Sequence, residues 1–457
     1  MDWSQLSFWI ADQLGWLMAA AMLGVTIYGV RQRRRRQAAA SSVLQSTIAK
    51  NLNEPFSLHP LIDPDRCAGC GACVRACPEG EILQLINHRA VMVSPTKCVG
   101  HGQCEAACPF DAISLVFGTK TRGRELPRIT GHFETNIPGL YIAGELGGMG
   151  LIRNAVKQGR LAVEHAASQL SVAPQAQAAA DYDLVIVGAG PAGLAASLGA
   201  LAAKLRYVCL EQGVFGGTIS NFPRQKIIMT QPADLPMVGA MKFPQHRVSK
   251  AELIAKWDEI RAQHQLNIKE QVQFKGLVKD GDLFRLDTSI GAMTAHKVIL
   301  ATGVRGTPRR LGVPGEDLAK VTYNLVEPEQ YQQQHVAVVG GGNAAAEAVQ
   351  YLCKKSYGNK VTMLVASADF DRCNDENQNA VRTCAEQGLL DLCFNTKVTR
   401  VTGDALQIDT QGTLGNLRND YLFVFIGAEL QKRFFDQLGI QIEKKFGEPL
   451  SKGHPSA

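Results

Sequence analysis

The sequence predicts an α/β protein with two dinucleotide-binding units of the strand–loop–helix type, a smaller cysteine-rich α+β domain and an N-terminal transmembrane helix. Three observations support this prediction. Two glycine-rich loops each follow a short apolar run and precede a helix of small residues. Seven of the 12 cysteines lie between residues 67 and 108. Residues 14–30 contain no charged side chain.

Composition sets the broad class. The 457 residues suffice for about three domains, and 46% hydrophobic residues with 44 glycines indicate a globular chain. The formal net charge is +6, and five of the positive charges lie in the run 31–36. The positive charge is therefore local, and we expect no nucleic-acid partner. Because the cysteines are clustered at short spacings, they indicate metal ligation in a reducing compartment rather than a disulfide framework.

The N-terminus has the pattern of a membrane anchor. The uncharged run 14–30 is followed at once by RQRRRR (31–36), and the positive-inside rule then places the rest of the chain in the cytoplasm. We expect residues 1–36 to form a single-pass anchor in the inner membrane, with the N-terminus outside. Residues 37–58 would form a polar tether. A buried or interfacial helix is the alternative, because 17 residues are few for a spanning helix.

Two cysteine runs form an internal repeat within residues 59–117. Residues 67–78 read C-x2-C-x2-C-x3-C-P, and residues 98–109 repeat that frame with histidine at the second position. Thiolates are soft anionic ligands for iron, and small residues between them allow one tight loop to hold several corners of a cluster. Zinc is the competing ligand, although this three-cysteine frame is unusual for zinc.

The repeat resembles the bacterial two-cluster ferredoxin fold, in which the fourth cysteine of each run ligates the other cluster. A [4Fe-4S] cluster is therefore expected on Cys67, Cys70, Cys73 and Cys108. The second cluster is expected on Cys77, Cys98 and Cys104. His101 occupies the missing cysteine position. Either it ligates a fourth iron, giving a second [4Fe-4S] cluster, or the second cluster is [3Fe-4S] and His101 only packs beside it.

The two glycine loops have the Rossmann-like pattern. The first unit, residues 182–211, contains G-x-G-x-x-G and ends in an acidic residue suited to a ribose hydroxyl; its site residues are Gly188, Gly190, Gly193 and Glu211. The second unit, residues 335–365, has Gly340, Gly342 and Ala345 at the glycine positions. No acidic residue ends its second strand, and Arg372 lies a little later. The pattern does not choose between NADH and NADPH.

The tandem units resemble the thioredoxin-reductase-like class of FAD-dependent pyridine nucleotide oxidoreductases. The resemblance covers roughly residues 116–165 and 181–450 and implies FAD on the first unit and NAD(P)H on the second. It extends the FAD site to the segments that run beside the flavin in that class, here Gly216, Gly217, Thr218, Thr302 and Gly303. The class is commonly dimeric, so a homodimer is an expectation.

The order of the segments departs from this class. A segment that normally ends the FAD domain, with Gly144 and Glu145 in AGE, precedes the first glycine loop at residues 134–167. Residues 421–440 resemble what normally comes before it. We infer a circular permutation with 171–180 as the new linker. The expected divisions are a permuted FAD segment (118–170), an FAD domain (181–310), an NAD(P) domain (311–420) and a return to the FAD domain with a tail (421–457).

These parts predict an oxidoreductase. A nicotinamide exchanges a hydride, a cluster exchanges one electron, and a flavin does both. We expect an FAD-dependent, ferredoxin–NAD(P) reductase-like enzyme with binding residues but no catalytic acid or base. Its one-electron carrier would be a ferredoxin or a membrane redox subunit. The alternatives are a non-catalytic redox sensor or assembly subunit, and a cluster-assisted disulfide reductase. A thioredoxin-reductase-type dithiol reductase is disfavoured, because Cys353, Cys373, Cys384 and Cys393 form no C-x-x-C motif.

Overall fold

The computed structural model describes residues 3–49, 52–55, 58–119, 123–147, 150–172, 180–224, 226–229, 233–241, 243, 248–303, 308–370, 373–427 and 432–447. The chain divides into two compact units. The first comprises Met1–Pro55 with Pro60–Ser114, and the second comprises Phe56–His59 with Leu115–Ala457.

The first unit contains one long helix and the cysteine repeat. Its elements are α1 (Trp3–Ala49), β1 (His59–Ile62), α2 (Ala72–Ala76), β2 (Leu83–Ile86), β3 (Arg89–Met92), α3 (Gln103–Ala106) and β4 (Ile113–Val116). Strands β2 and β3 form an antiparallel hairpin, and β1 pairs with β4. The small core includes Ile82, Leu83, Ala90 and Ile113 together with buried cysteines.

Helix α1 changes the expectation for the N-terminus. It runs without a break from the apolar stretch through the arginines and across residues 37–49. Near its end, the Thr47 hydroxyl donates to the Val93 carbonyl at 2.9 Å. Within the described residues, no helix is both long enough and apolar enough to cross a membrane. The predicted transmembrane helix is thus not supported, since its uncharged run of 17 residues is shorter than the ~20 that a bilayer requires.

The second unit begins with a sheet flanked by helices. Its elements are β5 (Arg124–Pro127), β6 (Leu140–Ile142), α4 (Ile152–Val172), β7 (Tyr182–Val187), α5 (Pro191–Ala202), β8 (Tyr207–Leu210), β9 (Ile227–Met229), β10 (Asp234–Leu235), β11 (Gly239–Ala240), β12 (Val248–Ser249), α6 (Lys250–Gln263), β13 (Ile268–Lys269), β14 (Phe274–Asp280), β15 (Leu283–Thr288) and β16 (Gly291–Leu300). The main sheet has the order β13-β8-β7-β16-β15-β14, with β6 also paired to β16. The last four residues of β7 and all of β8 are buried and apolar, as expected of parallel strands covered on both faces.

A second parallel sheet follows. Its region contains β17 (Val321–Thr322), β18 (His335–Val339), α7 (Asn343–Leu352), β19 (Lys360–Leu364), α8 (Asp375–Glu386), β20 (Leu390–Cys393), β21 (Thr396–Val401), β22 (Ala405–Thr410), β23 (Thr413–Arg418) and β24 (Tyr421–Val424). The parallel order is β17-β24-β18-β19-β20, and β21-β22-β23 form a separate antiparallel sheet. The predicted α/β class with two dinucleotide-binding units is confirmed. Because β24 belongs to the second sheet, the chain leaves that sheet after residue 424.

The last elements, α9 (Lys432–Leu438) and β25 (Ile442–Lys445), return to the first sheet region. Strand β25 pairs antiparallel with β5, so that Lys445 faces Arg124. The Asn136 side chain donates to the Gly439 carbonyl at 2.9 Å and accepts from the Gln441 amide at 2.9 Å. Segments some 300 residues apart in sequence therefore form one continuous part of the fold.

Candidate cofactor sites

The first glycine loop joins β7 to α5 and has little space for side chains. Gly188 has φ +105°, and a Cβ there would lie 2.5 Å from the Ala301 carbonyl oxygen. A Cβ on Gly193 would lie 1.8 Å from the Gly188 oxygen. Gly190 caps α5, and an added Cβ there would meet no atom closer than 4.0 Å. Gly188 and Gly193 thus allow close packing, while Gly190 leaves the helix N-terminus open to an anionic group.

Glu211 is held beside this loop at the end of β8. Its side chain is buried, and its Oε2 accepts from the Ala189 amide at 2.8 Å. Its Oε1 accepts from the Gly213 amide at 2.9 Å. These two hydrogen bonds fix the carboxylate next to the glycine turn, which is the position expected for binding a ribose.

Two further segments, residues 216–218 and 302–303, lie beside the first glycine loop. Gly216 and Gly217 have φ of +91° and +55°, and a Cβ on Gly217 would lie 3.5 Å from the Gly190 Cα. Thr218 follows them in a 3₁₀ turn. A Cβ on Gly188 would also lie 3.1 Å from the Thr302 amide nitrogen, and Gly303 follows with φ +66°. The structure therefore brings together the residues at 188–193, 211–218 and 302–303 that the sequence predicted to bind FAD.

The early segment with Gly144 and Glu145 joins them. Strand β6 runs parallel to β16, and Gly144 follows it with φ +88°. A Cβ on Gly144 would lie 3.3 Å from the Ala192 Cβ on α5. Glu145 begins a 3₁₀ turn, and a Cβ on Gly150 would lie 3.3 Å from its Oε1. The segment expected from 118–170 thus lies against the first glycine loop.

Sequence reasoning missed Gln158 on α4. Its Oε1 accepts from the Gly144 amide at 2.7 Å, and its side chain is buried. Its Nε2 is also buried and has no hydrogen-bond partner among the described residues. A buried amide donor of this kind is costly without an acceptor. A flavin, which carries several acceptor atoms, fits that requirement. The one available signal was the position of Gln158 in the segment that resembles the final helix of the family.

The second glycine loop repeats the geometry of the first. Gly340 follows β18 with φ +137°, and a Cβ there would lie 2.3 Å from the Phe425 carbonyl oxygen. Gly342 caps α7, and Ala345 is fully buried, with its Cβ 3.3 Å from the Cβ position of Gly340. The three predicted residues therefore form a second helix N-terminus suited to a pyrophosphate. Arg372 lies outside the described residues.

The first set of cysteines surrounds a cavity. Cys67, Cys70, Cys73 and Cys108 line it together with Ala68, Gly69, Gly71, Ala90, Phe110, Ala112 and Ile113. The Ala90 amide donates to Cys67 Sγ at 3.5 Å, and the Ala112 amide donates to Cys108 Sγ at 3.4 Å. Gly69 and Gly71 have positive φ, which permits the tight loop. A space ringed by four thiols with amide donors aimed at them fits an iron–sulfur cluster.

The second set of cysteines, Cys77, Cys98 and Cys104, lies together elsewhere in the same unit. Burial, and to a lesser extent the neighbouring Cys98 and Cys77 thiols, raises the pKa of Cys104 to about 12. Burial likewise raises the pKa of Cys98 to about 11. The structure thus brings Cys77, Cys98 and Cys104 together. The Nε2 of His101 is 3.6 Å from the Oε1 of Glu79, a residue that sequence reasoning did not single out.

Among the described residues, no group of three or more His, Cys, Asp or Glu side chains is arranged to hold a single metal ion. This is compatible with the cysteine-lined cavity, because ligands of a cluster surround a cage of several atoms instead of converging on one ion.

A further thiol pair was not predicted. The Cys353 thiol, at the end of α7, lies beside the Cys384 thiol of α8. Burial, with the neighbouring Cys384 as a smaller contribution, raises the pKa of Cys353 to about 12. The two cysteines are 31 residues apart in sequence, so no spacing motif indicated their contact.

Two tandem dinucleotide sites and a cysteine-lined cavity define a flavin oxidoreductase with a 4Fe-4S ferredoxin-like domain. The chain belongs to the pyridine nucleotide-disulphide oxidoreductase family, whose model matches residues 185–453. Residues 59–109 match the 4Fe-4S dicluster domain. The resemblance inferred from the sequence is therefore confirmed for both parts.

Individual relatives agree with this assignment. Thioredoxin reductase of Treponema pallidum is 30% identical over 263 residues, covering 54% of this chain and 76% of that protein. Ferredoxin–NADP reductase of Picrophilus torridus is 25% identical over 275 residues, covering 57% and 78%. The structure of bacillithiol disulfide reductase Bdr from Staphylococcus aureus is similar with a TM-score of 0.51 and 25% identity, covering 57% of this chain and 81% of that one.

Proposed function

We propose that this protein exchanges electrons between NAD(P)H and a one-electron carrier through FAD and two iron–sulfur clusters. The observation that carries the proposal is that a single chain contains both a pair of dinucleotide sites and a cavity ringed by four cysteines. The chemistry that a bound flavin supplies is the conversion between hydride transfer and single-electron transfer. The first cluster is [4Fe-4S], and the second is [4Fe-4S] or [3Fe-4S].

The residues of the chain bind and orient these groups. The N-terminus of α5 and the Glu211 carboxylate would hold the pyrophosphate and ribose of FAD, and Gln158 Nε2 would donate to an acceptor on the cofactor. The N-terminus of α7 would hold NAD(P)H in the same manner. Hydride transfer between stacked rings needs positioning and no protein acid or base. In this proposal the residues of the chain bind and orient the cofactors, and none acts as a catalytic acid or base.

The carrier that we favour is a ferredoxin, because one relative is named a ferredoxin–NADP reductase. A membrane redox subunit is the other candidate, and it depends on an anchor that the structure does not support. The inner-membrane location, the homodimer, the choice between NADH and NADPH and the sensor or assembly role stay predictions. Disulfide reduction is a second candidate function, since Cys353 and Cys384 are in contact and another relative is named a thioredoxin reductase.

We also propose that the FAD domain is circularly permuted. The support is topological: β25 and β5 are antiparallel neighbours, so a short loop from residue 447 to residue 123 would make them a hairpin. In that order α4 and β6 would follow β25 at the end of the chain, and 171–180 would no longer be a linker.

Anaerobic addition of NADH or NADPH to separate samples tests the reductase activity. The proposal expects one nucleotide to bleach the flavin absorbance within a single turnover. Absence of bleaching with both nucleotides would refute the reductase and favour the sensor or assembly role.

A further inference from the structure

Glu79 lies among the residues of the second cysteine set. It follows Cys77 by two positions, and, besides burial, its backbone amide and carboxylate both influence the pKa of the Cys77 thiol. The Gly80 amide donates to the Cys77 carbonyl oxygen at 3.3 Å. Its carboxylate lies at ion-pair distance from His101, with Oε1 3.6 Å from Nε2. It also interacts electrostatically with Cys98. One residue therefore contacts Cys77 through its backbone and His101 through its side chain.

The carboxylate of Glu79 places a negative charge beside the second set of cysteines. A carboxylate beside thiolates that bind iron adds negative charge to an anionic site, which is unfavourable without a compensating donor. His101 is close enough to compensate this charge, since its side chain is only 12% exposed and its Nε2 is 3.6 Å from the carboxylate. A neutral imidazole in place of a fourth thiolate also lowers the negative charge of the site by one.

Histidines that ligate metals commonly donate their second ring N–H to a carboxylate, which fixes the tautomer and the ring orientation. The Nε2–Oε1 separation of 3.6 Å is an ion-pair distance, longer than a hydrogen bond, and it places the Glu79 carboxylate on the Nε2 side of the ring. Nδ1 is then the ring nitrogen that remains for a metal.

We infer that Glu79 is a positioning residue that orients His101, so that His101 Nδ1 ligates the fourth iron of a second [4Fe-4S] cluster. The inference rests on the proposed function, in which Cys77, Cys98 and Cys104 hold the other three irons. It makes the second cluster a four-iron form with one nitrogen ligand.

The test uses the full chain, purified anaerobically, with three readouts: iron per chain, Mössbauer spectra and pulsed EPR of the reduced protein. In the wild type we expect two four-iron clusters and a histidine nitrogen coupled to one of them. His101→Ala loses that coupling and one iron per chain. Glu79→Ala weakens retention of the fourth iron about 10- to 100-fold, the usual effect of removing such a partner. Glu79→Gln, which keeps an acceptor oxygen, restores the fourth iron and the nitrogen coupling.

Glu81→Ala is the matched control, because Glu81 is an exposed acid two residues along, and it should behave as the wild type. The inference is overturned if Glu79→Ala keeps both the fourth iron and the coupling. It is also overturned if Glu79→Ala loses the iron while His101→Ala keeps it, since Glu79 would then be the ligand itself. A wild type with a three-iron second cluster also overturns the inference but leaves the two-cluster relay standing. A wild type that holds only one cluster in total refutes the relay itself.

Discussion

The Gln158 Oε1 on α4 accepts a hydrogen bond of 2.7 Å from the Gly144 amide, which joins the early segment of the chain to the candidate flavin site. The Nε2 of the same side chain is buried and has no hydrogen-bond partner within the described part of the chain. One amide group thus stabilises the loop after β6 and leaves a buried donor next to that loop.

Replacing Gln158 by Ala should weaken FAD binding about 5- to 10-fold, because one neutral hydrogen bond is lost and the Gly144 loop is loosened. Flavin fluorescence during reversible release of FAD gives the dissociation constant. Gln169→Ala is the control, since Gln169 is exposed on the same helix. An equal affinity in the Gln158 variant and the control would place this side chain outside the flavin site.

Replacing Glu211 by Ala should have a larger effect. The carboxylate accepts from two backbone amides, at 2.8 and 2.9 Å, and is also assigned the ribose. Loss of about 2–3 kcal/mol corresponds to a dissociation constant for FAD that is roughly 30- to 150-fold higher. Glu164→Ala, an exposed acid on α4, should leave the affinity unchanged. FAD content after dialysis reports both variants, and full retention of FAD by Glu211→Ala would contradict the assigned role.

Replacing the Cys353–Cys384 pair distinguishes one-electron transfer from disulfide reduction, the two candidate functions. Burial raises the pKa of Cys353 to about 12, which keeps its thiol protonated and a poor nucleophile at neutral pH. We therefore expect Cys353→Ser with Cys384→Ser to keep NAD(P)H-dependent reduction of a one-electron acceptor within about twofold. Loss of that activity in a variant that retains its FAD and clusters would favour the disulfide reductase.

The proposed permutation can be reversed. A chain that begins at residue 180, joins 447 to 123 through a short glycine-rich loop and ends at 172 lacks the cysteine repeat but keeps every strand of both sheets. We expect it to fold and to bind FAD stoichiometrically, because β25 and β5 are already adjacent. Absorbance and circular dichroism report the outcome. A chain that remains unfolded would show that the present order of segments is required.

The parts of the site that depend on local backbone were predictable from sequence. A side chain at Gly188 or Gly340 would collide with the backbone that follows a neighbouring strand, at Ala301 or Phe425, so their spacing within the motif indicated the loop directly. The assignment of Cys108 to the first set followed from the resemblance to two-cluster ferredoxins, and Cys108 lines the same cavity as Cys67 and Cys70. Gln158, Glu79 and the Cys353–Cys384 contact depend on packing between distant segments and have no spacing signal. The transmembrane prediction relied on the absence of charge in residues 14–30, a stretch that is short for a bilayer-spanning helix.

The central claim is that electrons pass between nucleotide, flavin and clusters within one chain. The most direct measurement mixes the anaerobic protein rapidly with the reducing nucleotide and follows flavin absorbance together with the EPR signal of freeze-quenched samples. The account predicts that the flavin is reduced first and that a cluster signal then appears at the expense of reduced flavin. A flavin that is reduced while the clusters stay oxidised on every timescale would contradict it.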